Sequence, residues 1–173
     1  DITVEPLYTS DLDTEYKVIH KYAKLTSGYD TEEVPGTGET GSTIPAPLKP
    51  KTGFVTPAEQ NITITGDGQA TVTYVYERET YAFNITDRSY LDSTSTANGT
   101  YPYETEITLK AKTREGYTFK WSDDVTDLER TFNLTEATTL SLIYTANTNT
   151  PYKVIHKYAK LTSGYDIEEV PGT

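Results

Sequence analysis

Apolar and polar residues alternate along this chain in short runs broken by Gly, Pro and Thr, a pattern that predicts strands. Gln60–Thr65 alternates, Gly66-Asp67-Gly68 supplies turn chemistry, and Ala70–Tyr76 alternates again with Val72, Tyr74 and Tyr76 on one face. The spacing predicts a β-hairpin there. Tyr16, Val18, His20 and Tyr22 also keep a period of two; Val18, Tyr22 and Leu25 fit a helix as well, and the aromatic and β-branched content decides for a strand over Tyr16–Ala23. Val34–Thr56 is rich in Gly, Pro and Thr and predicts a long irregular crossing with at most a short helical turn.

Further on, the runs Tyr81–Thr86, Glu104–Ala111, Gly116–Trp121, Arg130–Leu134 and Thr138–Thr145 each present one apolar face. Ile107, Leu109 and Ala111 alternate with Thr108, Lys110 and Lys112, and Tyr117, Phe119 and Trp121 with Thr118 and Lys120. Leu140, Leu142 and Tyr144 complete this core, in which the single Trp is expected as a core plug.

The strongest organisational signal is repetition. Tyr16–Thr37 and Tyr152–Thr173 are the same sequence except that Ile167 stands for Thr31, and they lie 136 residues apart. That offset exceeds a solenoid repeat and suits an array of whole domains. At the same offset Ile2–Thr9 aligns in pattern with Thr138–Thr145. The expected organisation is therefore 1–15 as the last strand of a preceding repeat plus linker, 16–79 and 80–147 as two small β modules, 148–151 as a linker, and 152–173 as the start of the next repeat. Arg78-Glu79-Thr80 joins the modules without Gly or Pro, whereas Ala146–Pro151 is short, polar and bendable. Two compact modules of this size would extend the chain by about 60 Å per repeat. A start at Asp1 without Met or leader reads as a piece of a longer protein.

Composition narrows the function classes. Tyr numbers 15, Cys and Met are absent, and net charge is −11 with a pI near 4.6. No Cys means no disulfide, thiolate metal site or cysteine nucleophile. Scattered Lys and Arg give no footprint for nucleic acid, and no apolar run is long enough for membrane insertion.

Two resemblances sit on particular residues. Thr52-Gly-Phe-Val-Thr-Pro57 followed by Ala70-Thr-Val-Thr-Tyr-Val-Tyr-Glu77 resembles the mucin-binding-protein (MucBP) repeat of Gram-positive surface proteins, over about 16–79. Gly99–Ala111 with Arg114-Glu-Gly-Tyr-Thr-Phe-Lys-Trp121 resembles the Listeria–Bacteroides repeat, or internalin B-repeat, over about 80–147. The second family has Gly where Glu104 stands and a Gly before its Trp, where this chain has Lys120. The resemblances imply a mainly β fold of two tandem β-grasp (ubiquitin-like) modules in an elongated arrangement, within a secreted bacterial protein attached to the cell wall. They carry over no catalytic residue.

No catalytic, cofactor-binding or metal site is expected, no cofactor either, and no ligand-binding residue is identified. His20 and His156 are one position in successive repeats and read as structural. Asp123-Asp124 and Glu32-Glu33 lack the spacing of a calcium loop and read as solvated acidic loops. Val34-Pro-Gly-Thr-Gly38 resembles a sortase signal with Val for Leu, but recurs at Val170–Thr173 without an apolar tail and reads as a loop. Asn61, Asn84, Asn98 and Asn133 open N-x-Thr sequons, expected by chance in a Thr-rich chain. A Lys–Asn isopeptide cross-link would place Lys17 or Lys21 against Asn61. The leading function is a spacer repeat of a cell-surface adhesin. The alternative is an adhesive module that grips host glycan, mucin or protein through weak multivalent contacts. Expected partners are neighbouring repeats, with head-to-tail association through 152–173 as a further route.

Overall fold

The computed structural model describes residues 3–172, and every regular element among them is a strand, so the protein is mainly β. The chain divides into two compact units. One comprises Asp1–Phe83, Asn98–Ile107 and Phe132–Thr138; the other comprises Asn84–Ala97, Thr108–Thr131 and Thr139–Thr173. The boundary expected at 79/80 is thus not where the chain divides. Arg78 and Glu79 explain why. The Tyr103 N–H donates to Glu79 O at 2.7 Å, and the Arg78 guanidinium donates to Tyr103 O and to the Glu104 carboxylate, both at 2.9 Å. These bonds fasten the later segment 98–107 to the first module. Residues 3–12, read as the end of a preceding repeat, contain no strand, and Ile2 lies outside the described residues.

In the first unit β1 (Thr14–Ala23) pairs antiparallel with β2 (Tyr29–Gly38), from Thr14↔Gly38 to Ala23↔Tyr29. The Lys24–Gly28 loop between them closes with Lys24 N–H on Gly28 O at 3.0 Å, with Gly28 at φ 80. The irregular crossing expected from Val34 therefore begins later, because Val34–Gly38 lies in β2 and is a strand rather than a loop. Pro35 is tolerated since β2 is an edge strand in the order β2-β1-β5. Gly36 is required because the Tyr16 ring lies on it: a Cβ there would sit 2.3 Å from Tyr16 Cζ.

Next come β3 (Thr43–Pro45), β4 (Asn61–Thr63) and β5 (Ala70–Tyr76). The 60–76 hairpin does not form. β4 pairs antiparallel with β3, and β5 pairs parallel with β1, from Tyr16↔Ala70 to Tyr22↔Tyr76. Ile62, Ile64, Tyr74 and Tyr76 share one core with Val18, Tyr22, Ala46 and Phe54. Both apolar faces predicted by the alternation are real, but β5 spends its edge on β1, and alternation alone carries no information about edges. A hairpin with its parallel third strand is compatible with a β-grasp.

Where a β-grasp has a helix, residues 46–60 run irregularly, since Pro47, Pro50 and Pro57 forbid one. Tyrosine hydroxyls satisfy the backbone of this crossing instead. Tyr22 Oη donates to Lys49 O at 2.7 Å while Lys49 N–H donates to Tyr76 Oη at 2.8 Å. Tyr74 Oη donates to Ala46 O at 3.0 Å and accepts from Gln60 N–H at 2.9 Å. Tyr thus supplies both apolar bulk and a polar tip that reaches buried peptide groups.

The remaining strands are β6 (Thr80–Ile85), β7 (Gly99–Pro102), β8 (Glu106–Lys110), β9 (Tyr117–Trp121), β10 (Glu129–Asn133), β11 (Thr138–Leu140), β12 (Leu142–Ala146), β13 (Tyr152–Ala159) and β14 (Tyr165–Gly172). They form the sheets β11-β6-β7, β10-β8, β12-β9 and β13-β14. The strand expected over Thr138–Thr145 breaks at Ser141. Ser141 O accepts from Ser122 N–H at 3.0 Å and Ser141 N–H donates to Ser122 Oγ at 3.1 Å, so one run serves β6 before the break and β9 after it. In the second unit Trp121 is fully buried, as Ile85, Leu91, Leu109 and Leu140 are buried there, and its Nε1–H donates to Asp127 O at 2.8 Å. That is the core plug its strand predicts.

Candidate functional site

The sequence duplicate is also a structural duplicate. β13 and β14 pair from Tyr152↔Gly172 to Ala159↔Tyr165, the register of Tyr16↔Gly36 to Ala23↔Tyr29. The loops match: Lys160 N–H donates to Gly164 O at 3.1 Å, and Gly164 has φ 81. The ion pairs match: Lys17–Glu33 and Lys153–Glu169 are both 2.7 Å, and Lys24–Asp30 at 3.1 Å answers Lys160–Asp166 at 2.9 Å. Tyr152 covers Gly172 as Tyr16 covers Gly36, with an added Cβ again 2.3 Å from the ring Cζ. Local sequence alone therefore sets this hairpin's geometry.

Burial does not match. On β1, Val18 is 1% exposed and Tyr22 6%; on β13, Val154 is 40% exposed and Tyr158 55%. His20 is buried while His156 is exposed. The β13–β14 hairpin exposes the face that the β1–β2 hairpin turns into the core with Ala46, Phe54, Ile62 and Ile64. The repeat in the sequence was the signal for this pair of hairpins.

The buried counterpart has a polar centre that the sequence pattern did not reveal. His20 Nδ1 lies 3.0 Å from Tyr76 Oη, and its ring stacks on Tyr74 at 5.9 Å between centroids. Burial pushes the His20 pKa below its ordinary value; Glu32, its cross-strand partner, works against that and Lys49 with it. Burial likewise pushes the Tyr22 hydroxyl up. This imidazole is enclosed and spends its bond on a tyrosine that holds a backbone amide, so its role is structural.

Beside it lies a cleft of about 310 Å³ lined by Tyr22, Lys51, Phe54, Arg78, Tyr103 and Glu104. Its cations are already engaged by the protein. Arg78 donates to Ala23 O at 3.0 Å, besides its bonds to Tyr103 and Glu104, and lies 5.0 Å from the Phe54 ring; Lys51 Nζ lies 5.3 Å from the Tyr22 ring.

The remaining sequence candidates do not converge. Asp123 is gripped by Arg130, with both carboxylate oxygens at 2.8 Å, and Asp124 pairs with Lys120 at 2.7 Å. Glu32 pairs with Lys49 and Glu33 with Lys17. Both Glu32 and Glu33 lie in β2, not in a loop. Among the described residues no three His, Asp or Glu group to hold a metal ion. Lys17 pairs with Glu33, and Asn61 stands opposite Pro45 between β4 and β3. Of the sequon residues, Asn61 lies in β4, Asn84 in β6 and Asn133 in β10.

No family model, curated protein or solved structure matches this chain.

Proposed function

We propose that this chain is a stretch of a repetitive, secreted bacterial surface protein, and that its repeat is a spacer that holds a distal adhesive domain away from the cell wall. The observation that carries this is the duplicated hairpin: the same register, loop and ion pairs recur at an offset of 136 residues. Selection for copy number suits a length-setting element, whereas a reactive centre gains little from being copied. The MucBP-like and internalin-B-repeat-like stretches belong to this reading. Glu104 supports the second resemblance. It has φ 67, a conformation glycine adopts without cost, and that family has glycine at this position.

Small-angle scattering on chains with one, two and three copies of residues 16–151 tests the spacer role. The maximum dimension should rise by equal steps with each copy. Growth with the cube root of mass, as for a single globule, would reject it.

The second reading, an adhesive module for glycan, mucin or protein, is favoured by one cluster in the second unit. Arg114 lies 3.8 Å from the Tyr117 ring centroid and 5.4 Å from that of Tyr90, a ring that is 36% exposed. Glycan-array binding by joined repeats, lost on Tyr90→Ala, would favour it over a spacer.

A further inference from the structure

Arg78, Arg130 and Arg114 each lie over an aromatic ring, and the first two also hold a carboxylate. Arg78 Cζ is 5.0 Å from the Phe54 ring centroid while its Nη1 donates to Glu104 at 2.9 Å. Arg130 Cζ is 5.8 Å from the Trp121 ring centroid while its Nη1 donates to Asp123 at 2.8 Å. Stacking on a ring thus leaves the edge of the guanidinium plane open to an acid. Arg114 has only the first half of this arrangement. Its Cζ is 3.8 Å from the Tyr117 ring centroid and 5.4 Å from that of Tyr90, and its Nη2 donates to Tyr117 Oη at 3.2 Å. Among the described residues no carboxylate pairs with it, the exposed Glu115 beside it included.

The surrounding chain holds this group in place. Arg114 and Tyr117 are the first and last residues of a turn closed by Tyr117 N–H on Arg114 O at 3.1 Å, and Gly116 within it has φ 77. Asn147 N–H donates to Gly116 O at 2.8 Å and ties the turn to the end of β12. Tyr90 is fixed from the other side. Its carbonyl accepts from Lys112 N–H at 2.8 Å, and its ring lies 5.1 Å from that of Tyr144, whose hydroxyl donates to Lys112 O at 2.5 Å. All of these residues belong to the second unit, and Arg114 and Tyr90 are exposed.

We propose that Arg114 and Tyr90 form a binding site for a carboxylated sugar, a pyranose whose acid group pairs with the Arg114 fork while its C–H face lies on the Tyr90 ring. The inference deepens the adhesive reading and rests on it. A lone carboxylate, or the Asp or Glu side chain of a peptide, uses Arg114 and leaves the Tyr90 ring uncovered. A neutral sugar covers the ring and leaves the guanidinium without an acid. One such site is weak, with a dissociation constant on the order of 1 mM, and joined repeats supply avidity.

The test is an NMR titration of the isotope-labelled full chain with four probes. They are methyl glucuronide, methyl glucoside as the same ring without the acid, acetate as the acid without the ring, and a short glutamate-rich peptide. Amide resonances of residues 114–117 and of Tyr90 should move with the glucuronide, with an affinity at least about five-fold above that for each other probe. Arg114→Lys keeps the charge but not the planar fork and should weaken the glucuronide by about five-fold. Tyr90→Ala should weaken the glucuronide and leave acetate unchanged. Unmoved Trp121 ring resonances verify that each variant is folded. A chain continued past Thr173 by residues 38–151 completes the following repeat, and it should bind the glucuronide at both copies of Arg114.

Three outcomes overturn the proposal within this experiment. Equal affinity for glucoside and glucuronide would remove the acid from recognition. Acetate or the peptide matching the glucuronide would remove the sugar ring. Loss of binding at the first Arg114 of the continued chain would mean that the next repeat covers the site. Joined repeats that bind glycans on an array equally well with Arg114→Gln would overturn this site and leave the adhesive reading standing, whereas joined repeats that bind no glycan would remove both.

Discussion

The two hairpins form a matched pair of hosts for the same substitution, and Val18→Ala against Val154→Ala exploits it. The flanking sequence is the same, so the change in strand propensity is the same and cancels in the difference. What remains is burial. Val18 is 1% exposed, and removing its two methyl groups forfeits about 1.6 kcal/mol of transfer free energy at about 0.8 kcal/mol per group. The cavity left in the core that Val18 shares with Ile62 and Tyr74 adds to that, for a total of about 2–3 kcal/mol. Val154 is 40% exposed, and its truncation should change stability by less than about 0.5 kcal/mol. Urea denaturation followed by far-UV circular dichroism gives the global value, and hydrogen exchange at the amides of Val72 and Tyr74 localises it to the first unit. Equal costs at the two positions would refute the claim that the second hairpin's face is uncovered.

Other perturbations read the same network. Amides of β13 should exchange far faster than those of β1, because an isolated hairpin is marginal in water; equal protection measured by NMR would contradict the exposure of Val154 and Tyr158. Tyr76→Phe strips the buried partner from both Lys49 N–H and His20 and should cost about 2–4 kcal/mol in urea denaturation, although it removes one oxygen atom. His20 has a pKa below its ordinary value in the folded chain, so the unfolded chain binds the proton more readily. Its contribution is full above that ordinary value and is lost as pH falls below it, a dependence that denaturation at a series of pH values should show and His20→Asn should flatten. Gly53→Ala should cost about 2–4 kcal/mol, since φ is 79 and the new Cβ would lie 2.1 Å from Tyr103 Cδ1; displaced Tyr103 ring resonances would accompany the loss.

Strand positions were legible wherever one face is apolar and the other wet, as in β1, β5, β8 and β9. The pairing of β5 was not, because parallel partnership with β1 links residues far apart and leaves no trace in local alternation. β2 was hidden by Pro35 and Gly36, residues that read as a loop; each is explained by a neighbour, the solvent edge for Pro35 and the Tyr16 ring for Gly36. β3 and β7 are too short to establish a period. The break at Ser141 depends on Ser122, which comes from another strand. The tyrosine network around Lys49 was half visible. Tyr at alternate positions opposite a Pro-rich segment announces buried hydroxyls beside a backbone that cannot form a helix, but which carbonyl meets which hydroxyl is decided by tertiary placement.

The duplicated hairpin separates what local sequence determines from what it does not. Register, the left-handed glycine in the loop, the Tyr–Gly cross-strand contact and two ion pairs recur with and without a covering layer, so they arise from the hairpin's own residues. Burial of Val18, His20 and Tyr22 arises only when residues 46–64 bring Ala46, Phe54, Ile62 and Ile64 into the core and β5, which follows β1 by more than forty residues, returns parallel beside it. Closing that long loop is the slow, non-local step of the first unit, whereas the hairpin is its fast, local one. Between the two events each newly formed hairpin shows the apolar face that β13 shows here. An array of near-identical repeats would therefore hold several interchangeable hairpins near each β5, and the correct partner is selected by chain connectivity rather than by side-chain complementarity. The single difference, Ile167 for Thr31, faces away from β5 and gives no discrimination, so fidelity in such an array depends on tether length and on the order in which the strands appear.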